Sequence, residues 1–280
     1  MDISKIPVQN CNTLSTVDDV GEADVILLGI PLYDGKPLKF ISPSNLLRMF
    51  SHLVEGNLNK NDIYTNILNI FDLGEITSSS YRQLAVDLPT IINFINKGYG
   101  NKKYVFIGGD HTISYFTTKH IKIDTLIVLD AHLDLKDTYL HRKFNNATVF
   151  RRLREANNEL NILYYGVRGY DEEEMEYIKN SDNIHILKDL TDFESYEMGE
   201  TYLSIDLDVL DPSLIRQVEY PEPNGITFNE LISVIKNVSK NTELKSVDLV
   251  EYLPTHIDRT ELSTILKLLY NVAYHLQKVI

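Results

Sequence analysis

Two short acidic segments carry residue types that bind metal ions, and each follows an apolar run that predicts a buried strand. Asp130, His132 and Asp134 alternate along the first segment, and Asp206 and Asp208 alternate along the second. Because successive side chains of an extended chain point to opposite faces, each set is expected to share one face. Five such groups would be very costly to bury at strand ends without cations, so the pattern predicts a bound metal pair.

A third segment adds an imidazole to this set. Gly108 and Gly109 follow another apolar run and precede Asp110 and His111. A tight glycine turn is therefore expected to present His111 at the same edge of the sheet. The combined set holds two histidines and four aspartates but no thiolate, which favours Mn²⁺, with Zn²⁺, Co²⁺ or Fe²⁺ as substitutes.

Strand and helix patterns alternate along the whole chain. The predicted strands are Val25–Gly29, Ile67–Leu73, Tyr104–Gly108, Thr125–Leu129, Leu160–Gly166, Ile184–Ile186, Tyr202–Ile205 and Lys245–Val250. The predicted helices are Pro43–Glu55, Ser80–Asn96, Thr112–His120, Thr148–Ala156, Asp171–Asn180, Thr227–Val238 and Glu261–Lys278, with N-caps expected at Ser42, Asp171 and Thr227. This alternation indicates an α/β fold whose mostly parallel sheet has helices on both faces and ligands at the carboxyl ends of its strands.

Composition narrows the class of partner. The 280 residues have a formal net charge of −13, which disfavours nucleic acid and anionic membranes and is compatible with a small cationic substrate. The lone cysteine, Cys11, indicates a reducing compartment, and Met1–Asn10 lacks the apolar segment of a signal peptide. No linker or repeat divides the chain, so we expect one soluble, cytoplasmic domain over residues 1–280.

The three motifs resemble those of the ureohydrolase family, which comprises arginases, agmatinases and their relatives. The shared motifs are Gly-Gly-Asp110-His111, Asp130-Ala-His132-Leu-Asp134 and Ser204-Ile-Asp206-Leu-Asp208. Similarity extends to Gly29–Pro31, Asp72–Ile76, Gly166–Gly169 and Val250–Pro254, and so covers nearly the whole chain. The resemblance implies a three-layer α/β/α sandwich around an eight-stranded, mostly parallel sheet, assembled as a homo-oligomer, either a trimer or a hexamer.

The resemblance also implies a role for each ligand. One Mn²⁺ would be held by His111, Asp130, Asp134 and Asp206. The other would be held by His132 and Asp208, with Asp130 and Asp206 bridging both ions. Such a pair lowers the pKa of a bound water towards neutrality and so supplies a nucleophile for hydrolysis. Glu251 matches the family position that binds a guanidinium, which a carboxylate can orient by two parallel hydrogen bonds; the alternative is a surface glutamate.

Two departures from the family pattern bear on function. Lys136 stands where arginases place an asparagine that grips the amino-acid end of arginine. Asn146 stands where the family usually has a histidine that passes a proton to the leaving amine, and an amide cannot do this. His141, His256 or water could carry the proton instead, although each histidine also reads as a surface residue.

The sequence therefore predicts a Mn²⁺-dependent agmatinase-type hydrolase, which converts agmatine, or a close guanidino amine, and water into putrescine and urea. Two alternatives stay open. The first is a metal-binding homologue with little or no turnover, which Asn146 motivates. The second is an arginase or formiminoglutamase, for which the sequence offers no evident anchor for a substrate carboxylate.

Overall fold

The computed structural model describes residues 6–9, 14–38, 42–54 and 67–277. The sequence predictions for Cys11, Glu55 and Lys278 lie outside these ranges. The strands are β1 (Val8–Gln9), β2 (Val25–Ile30), β3 (Leu32–Tyr33), β4 (Lys36–Pro37), β5 (Ile70–Ile76), β6 (Lys103–Gly108), β7 (Thr125–Leu129), β8 (Asn161–Tyr165), β9 (Ile184–Leu187), β10 (Glu200–Asp206) and β11 (Glu243–Val250). The helices are α1 (Pro43–Met49), α2 (Tyr81–Tyr99), α3 (Ile113–Lys119), α4 (Val149–Ala156), α5 (Glu172–Lys179), α6 (Phe228–Asn241) and α7 (Arg259–Gln277).

Within the described ranges, the main sheet has nine strands in the order β1-β5-β2-β6-β11-β10-β7-β8-β9. All neighbours are parallel except β1 and β5, which pair antiparallel with Val8 opposite Ile76. Every residue of β2 and of β7 is buried, because helices cover both faces of the sheet. The expected mostly parallel α/β fold is confirmed.

Two apolar clusters form the core, one on each face of the sheet. Alternate residues of β2 enter different clusters: Val25 and Leu27 pack in the first, and Ile26 and Leu28 in the second. Helices α1, α6 and α7 supply the first cluster, whereas α2 to α5 pack against the second. This arrangement gives three layers, as expected.

The eight predicted strands and seven predicted helices all form, with ends shifted by a few residues. The predicted N-caps are confirmed, since Ser42, Asp171 and Thr227 each accept a hydrogen bond from the backbone N–H three residues later.

Two predictions need correction. The sheet has nine strands rather than eight, because the two-residue strand β1 adds to its edge and is too short to leave a pattern. The helix expected over 43–55 ends at Met49, after which the chain tightens into a 3₁₀ turn at Ser51–Leu53.

Candidate metal centre

The predicted metal ligands and Glu251 lie at the carboxyl ends of four adjacent central strands, in the order β6, β11, β10 and β7. His111 follows β6, Glu251 follows β11, Asp206 ends β10 and Asp130 follows β7. The topology therefore brings together residues that are far apart in sequence, at the edge where parallel sheets bind ligands.

Gly109 shapes the turn that carries His111. Its N–H donates to the carbonyl of Ile30, and a Cβ at this position would lie 2.0 Å from the carbonyl oxygen of Leu32. Since real Cβ atoms do not approach backbone this closely, only glycine fits here. The turn places the His111 side chain in the interior, with no solvent exposure.

The acidic segments do not stay extended, contrary to the sequence prediction. Strand β7 ends at Leu129, and Asp134 has a positive φ of 54°. Asp208 lies in a 3₁₀ turn rather than on β10. The cause is the same in both segments, because the leading aspartate bends the chain through its own carboxylate. Asp130 Oδ1 accepts the N–H two residues later at 2.6 Å, and Asp206 Oδ1 does so at 2.8 Å.

The first ligand cluster surrounds Nδ1 of His111. This nitrogen lies 3.0 Å from Asp130 Oδ2, 3.2 Å from Asp206 Oδ2 and 3.3 Å from Asp134 Oδ2. Oxygen and nitrogen atoms that share one cation at ordinary bond lengths and right angles are about 3 Å apart. These four atoms therefore have the spacing of a ligand shell.

The hydrogen bonds of His111 leave Nδ1 available as a ligand. Nε2 lies 2.9 Å from the hydroxyl of Ser204, and that hydroxyl donates to Asp248 Oδ1 at 2.6 Å. Because the Ser204 proton is committed to Asp248, Ser204 has to accept the N–H of Nε2. In the described part of the chain, His111 Nδ1 and Asp130 Oδ2 are buried without a hydrogen-bond partner, as expected of atoms that face a cation.

The second cluster is built around His132. Its Nδ1 lies 2.8 Å from Asp208 Oδ2 and 3.7 Å from Asp130 Oδ1. Asp130 thus turns one oxygen towards each cluster, the placement that a bridging carboxylate requires. Asp206 faces the first cluster with Oδ2, whereas its Oδ1 accepts the backbone N–H of Asp208.

The two clusters hold several buried carboxylates whose mutual repulsion a bound cation would relieve. Burial raises the pKa of Asp134 to about 7, with a further contribution from Asp130. Burial raises the pKa of Asp206 well above its ordinary value, and its neighbours Asp208 and Asp130 raise it further. Burial by itself lowers the pKa of His132, but the nearby carboxylates of Asp130 and Asp208 outweigh this effect and raise that pKa to about 12. Two divalent ions would offset the charge of these buried carboxylates, and the donor set fits such ions.

Glu251 lies next to the first cluster in a strained backbone conformation, with φ of 65°. Its side chain is buried, and Oε1 accepts the backbone N–H of His111 at 2.7 Å. Within the described residues, Oε2 has no hydrogen-bond partner. This carboxylate oxygen is free to accept hydrogen bonds from a ligand.

Asn146, which stands where the family usually has a histidine, also lies in the site. Asn146 Nδ2 is 3.5 Å from Glu251 Oε1 and 3.4 Å from Glu219 Oε2. His141 is exposed in a turn with φ of 62°, and His256 is also exposed. Neither histidine is among the described residues that line the cavity over the metal clusters.

That cavity has a volume of about 370 Å³ and is strongly acidic. Beyond the metal ligands, its wall includes Asp171, Glu174, Glu219, Glu222 and Glu251. The one lysine among the described lining residues, Lys136, contacts both Asp171 and Glu174. Three tyrosines complete the mouth: Tyr139, Tyr170 and Tyr220.

Arg168 holds the loop that forms one wall of the cavity. Its five N–H groups donate to the carbonyls of Gly166, Asp208, Val209, Glu222 and Pro223. Sequence reasoning assigned no role to this arginine, to Asp248 or to Glu219. The acidic run Glu219-Tyr-Pro-Glu222 was a detectable signal, but only the fold shows that it faces the metal clusters.

Comparison with known proteins identifies the family of this chain. The model of the arginase family matches residues 23–274. The chain belongs to the arginase family. This arginase-family protein is 30% identical over 273 residues to an agmatinase of Pyrococcus horikoshii. The alignment covers 92% of this chain and 94% of the relative. It is 27% identical over 261 residues to an N(1)-aminopropylagmatine ureohydrolase of Thermococcus kodakarensis, which covers 89% of each chain.

The fold of this arginase-family protein is similar to that of agmatine ureohydrolase from Thermoplasma volcanium, with a TM-score of 0.79 and 22% identity. That match covers 95% of this chain and 94% of the other. The family assignment makes the protein a hydrolase of the arginase and agmatinase type. Among its described helices, none is long and apolar enough to cross a membrane.

Proposed function

We propose that this protein is a Mn²⁺-dependent ureohydrolase that converts agmatine and water into putrescine and urea. The observation that carries the proposal is Glu251, a buried carboxylate with one unpartnered oxygen beside paired metal clusters. A guanidinium is always charged at neutral pH and presents parallel N–H groups that match one carboxylate. Mn²⁺ is favoured because the donor set is rich in oxygen and lacks sulfur.

The ligands would divide as the two clusters do. His111 and Asp134 would hold one ion, and His132 and Asp208 the other, with Asp130 and Asp206 as the proposed bridging ligands. When bound, the ion pair supplies an activated water for attack on the guanidinium carbon. Glu251 orients the guanidinium, and the acidic cavity stabilises the substrate's positive charge.

The charges of the cavity favour agmatine over arginine. Five carboxylates beyond the metal ligands lie in the wall, and Lys136 is already paired with two of them. The ammonium of agmatine would be attracted, whereas the carboxylate of arginine would meet like charges. The P. horikoshii relative is named an agmatinase, and the T. kodakarensis relative is named an N(1)-aminopropylagmatine ureohydrolase. The substrate in each name is a guanidino amine.

Urea release from Mn²⁺-loaded protein tests the proposal. The panel is agmatine, aminopropylagmatine and arginine, with Asp130→Asn as the control that removes the proposed bridging ligand. We expect kcat/KM for agmatine to exceed that for arginine at least tenfold, since unfavourable juxtaposition of like charges costs more than about 1.4 kcal/mol. Comparable turnover of arginine would reverse the substrate assignment. If protein with two ions per chain releases no urea from any of these substrates, the enzymatic proposal is wrong. The alternative that Asn146 motivates, a metal-binding homologue without turnover, would then be preferred.

A further inference from the structure

Two carboxylates converge on one amide nitrogen in the cavity. Asn146 Nδ2 lies 3.4 Å from Glu219 Oε2 and 3.5 Å from Glu251 Oε1. A side-chain amide has two N–H hydrogens, so Asn146 can direct one to each carboxylate. Both distances are at the long limit of hydrogen bonding, so neither contact fully engages its carboxylate. Asn146 therefore sets the spacing of Glu219 and Glu251 and leaves both able to bind something else.

Charge indicates what that ligand is. Neither carboxylate forms an ion pair within the described residues, and the nearby Lys136 contacts Asp171 and Glu174 instead. Two adjacent carboxylates in a half-enclosed cavity are mutually repulsive unless a cation lies between them.

Glu219 lines the cavity and is half-buried, and Tyr33 is close enough to feel its charge. Burial raises the pKa of the Tyr33 hydroxyl, and Glu219, Glu251 and Asp110 raise it further. All three carboxylates therefore act on one partly buried phenol. Glu219 belongs to this inner group, although it lies on a loop between β10 and α6.

We propose that Glu219 is a second carboxylate for the guanidinium of the substrate, opposed to Glu251, with Asn146 as the positioning residue between them. The inference deepens the proposed function, since it takes a guanidinium as the ligand. A planar guanidinium presents more than one hydrogen-bonding edge and can contact two carboxylates at once, whereas an ammonium is a compact point charge. Glu219 thus makes the site selective for guanidinium over simple amines, and the neutral product urea loses the attraction of both carboxylates.

Isothermal titration calorimetry with methylguanidinium chloride tests this role without turnover. In the metal-loaded protein we expect Glu219→Gln to raise the Kd for methylguanidinium at least tenfold, because a charge-assisted hydrogen bond is lost. Methylammonium should bind weakly to both forms. The control is Glu194→Gln, which makes the same chemical change at an exposed residue outside the cavity lining. Metal content and thermal melting verify that each variant is folded and loaded.

Glu219→Asp provides a second arm, because it keeps the charge but retracts it by one methylene. We expect its Kd to lie between those of wild type and Glu219→Gln. The proposal is overturned if wild type binds no methylguanidinium, or if Glu219→Gln binds it within twofold of wild type. The urea assay is separate: agmatine turnover with an unchanged Kd in Glu219→Gln would refute this inference alone. Weakened binding in Glu219→Gln without any agmatine turnover would refute only the proposed function.

Discussion

Replacement of Ser204 by alanine should weaken metal binding without touching a metal ligand. Ser204 accepts the Nε2–H of His111 at 2.9 Å while it donates to Asp248 at 2.6 Å. Without that acceptor, the imidazole proton can move to Nδ1, where three carboxylates lie within 3.3 Å. The metal-free protein can therefore avoid an unpaired N–H at Nε2. The metal-bound protein cannot, because the ion then occupies Nδ1 and the proton has to stay on Nε2.

The cost to the bound state can be stated. A buried N–H without an acceptor costs about 1–3 kcal/mol. Loss of a hydrogen bond behind a histidine ligand commonly weakens metal binding about 10–100-fold, which corresponds to about 1.4–2.8 kcal/mol. The two estimates agree, so we expect the Kd of the first metal site to rise about 10–100-fold in Ser204→Ala.

Ser114→Ala is the matched control. Ser114 is equally buried and donates to the other oxygen of Asp248 at 2.7 Å. Its hydroxyl lies 3.4 Å from that of Ser204 but forms no hydrogen bond with the His111 ring. Both variants should lose stability, whereas only Ser204→Ala should lose metal affinity, measured by competition with a fluorescent chelator. An equal rise of Kd in both variants, or less than a threefold rise in Ser204→Ala, would refute the assignment of Nδ1 as the ligand atom.

Four other predictions address the site. Asp130→Asn should lose both ions, whereas Asp208→Ala should chiefly weaken one; two ions per chain in purified Asp130→Asn, by elemental analysis, would contradict bridging. The neighbouring carboxylates raise the pKa of metal-free His132 to about 12, so a bound ion should displace its proton, and metal affinity should fall as pH falls. Calorimetry in buffers of different ionisation enthalpy will measure the number of protons released. Arg168→Lys cannot reproduce five donors and should lower Tm by several degrees, at about 2–4 °C per kcal/mol; an unchanged melting curve would argue against its role in the loop. Asn146→His should raise kcat for urea release at unchanged metal content, because an imidazolium can donate the proton that an amide cannot.

Periodicity and burial explain why the sequence predicts the larger elements well. A strand such as Thr125–Leu129 is apolar throughout because helices cover both its faces, and such a run is hard to mistake. The same reasoning cannot find Val8–Gln9, whose two residues are held by backbone pairing to β5 and carry no pattern. Short edge strands are fixed by their neighbours rather than by their own side chains.

The site was predictable in composition but not in local geometry. Each ligand motif directly follows a predicted strand, and the carboxyl ends of parallel strands lie at one edge of the sheet. The sequence therefore predicts that the ligands meet there, even though the turn after each strand is not predicted. The carboxylate-induced bends at Asp130 and Asp206 were not foreseen, because an extended chain and a turned one present the same residue alternation. The contacts of Glu219 and Asp248 cannot be predicted from sequence, because they join residues 73 and 44 positions apart and depend on tertiary structure.

The central four strands also tie the ions to the folding of the whole chain. His111 and Glu251, joined by a hydrogen bond, are separated by 140 residues, and no local fragment contains both metal clusters. A chain has to close several long loops before all the ligands meet, so we expect metal binding to come late in folding. An ion present at one hundred times its Kd then adds about 2.7 kcal/mol to the stability of the folded state. Metal supply would thus govern how many copies of the protein survive proteolysis as well as how fast each one turns over.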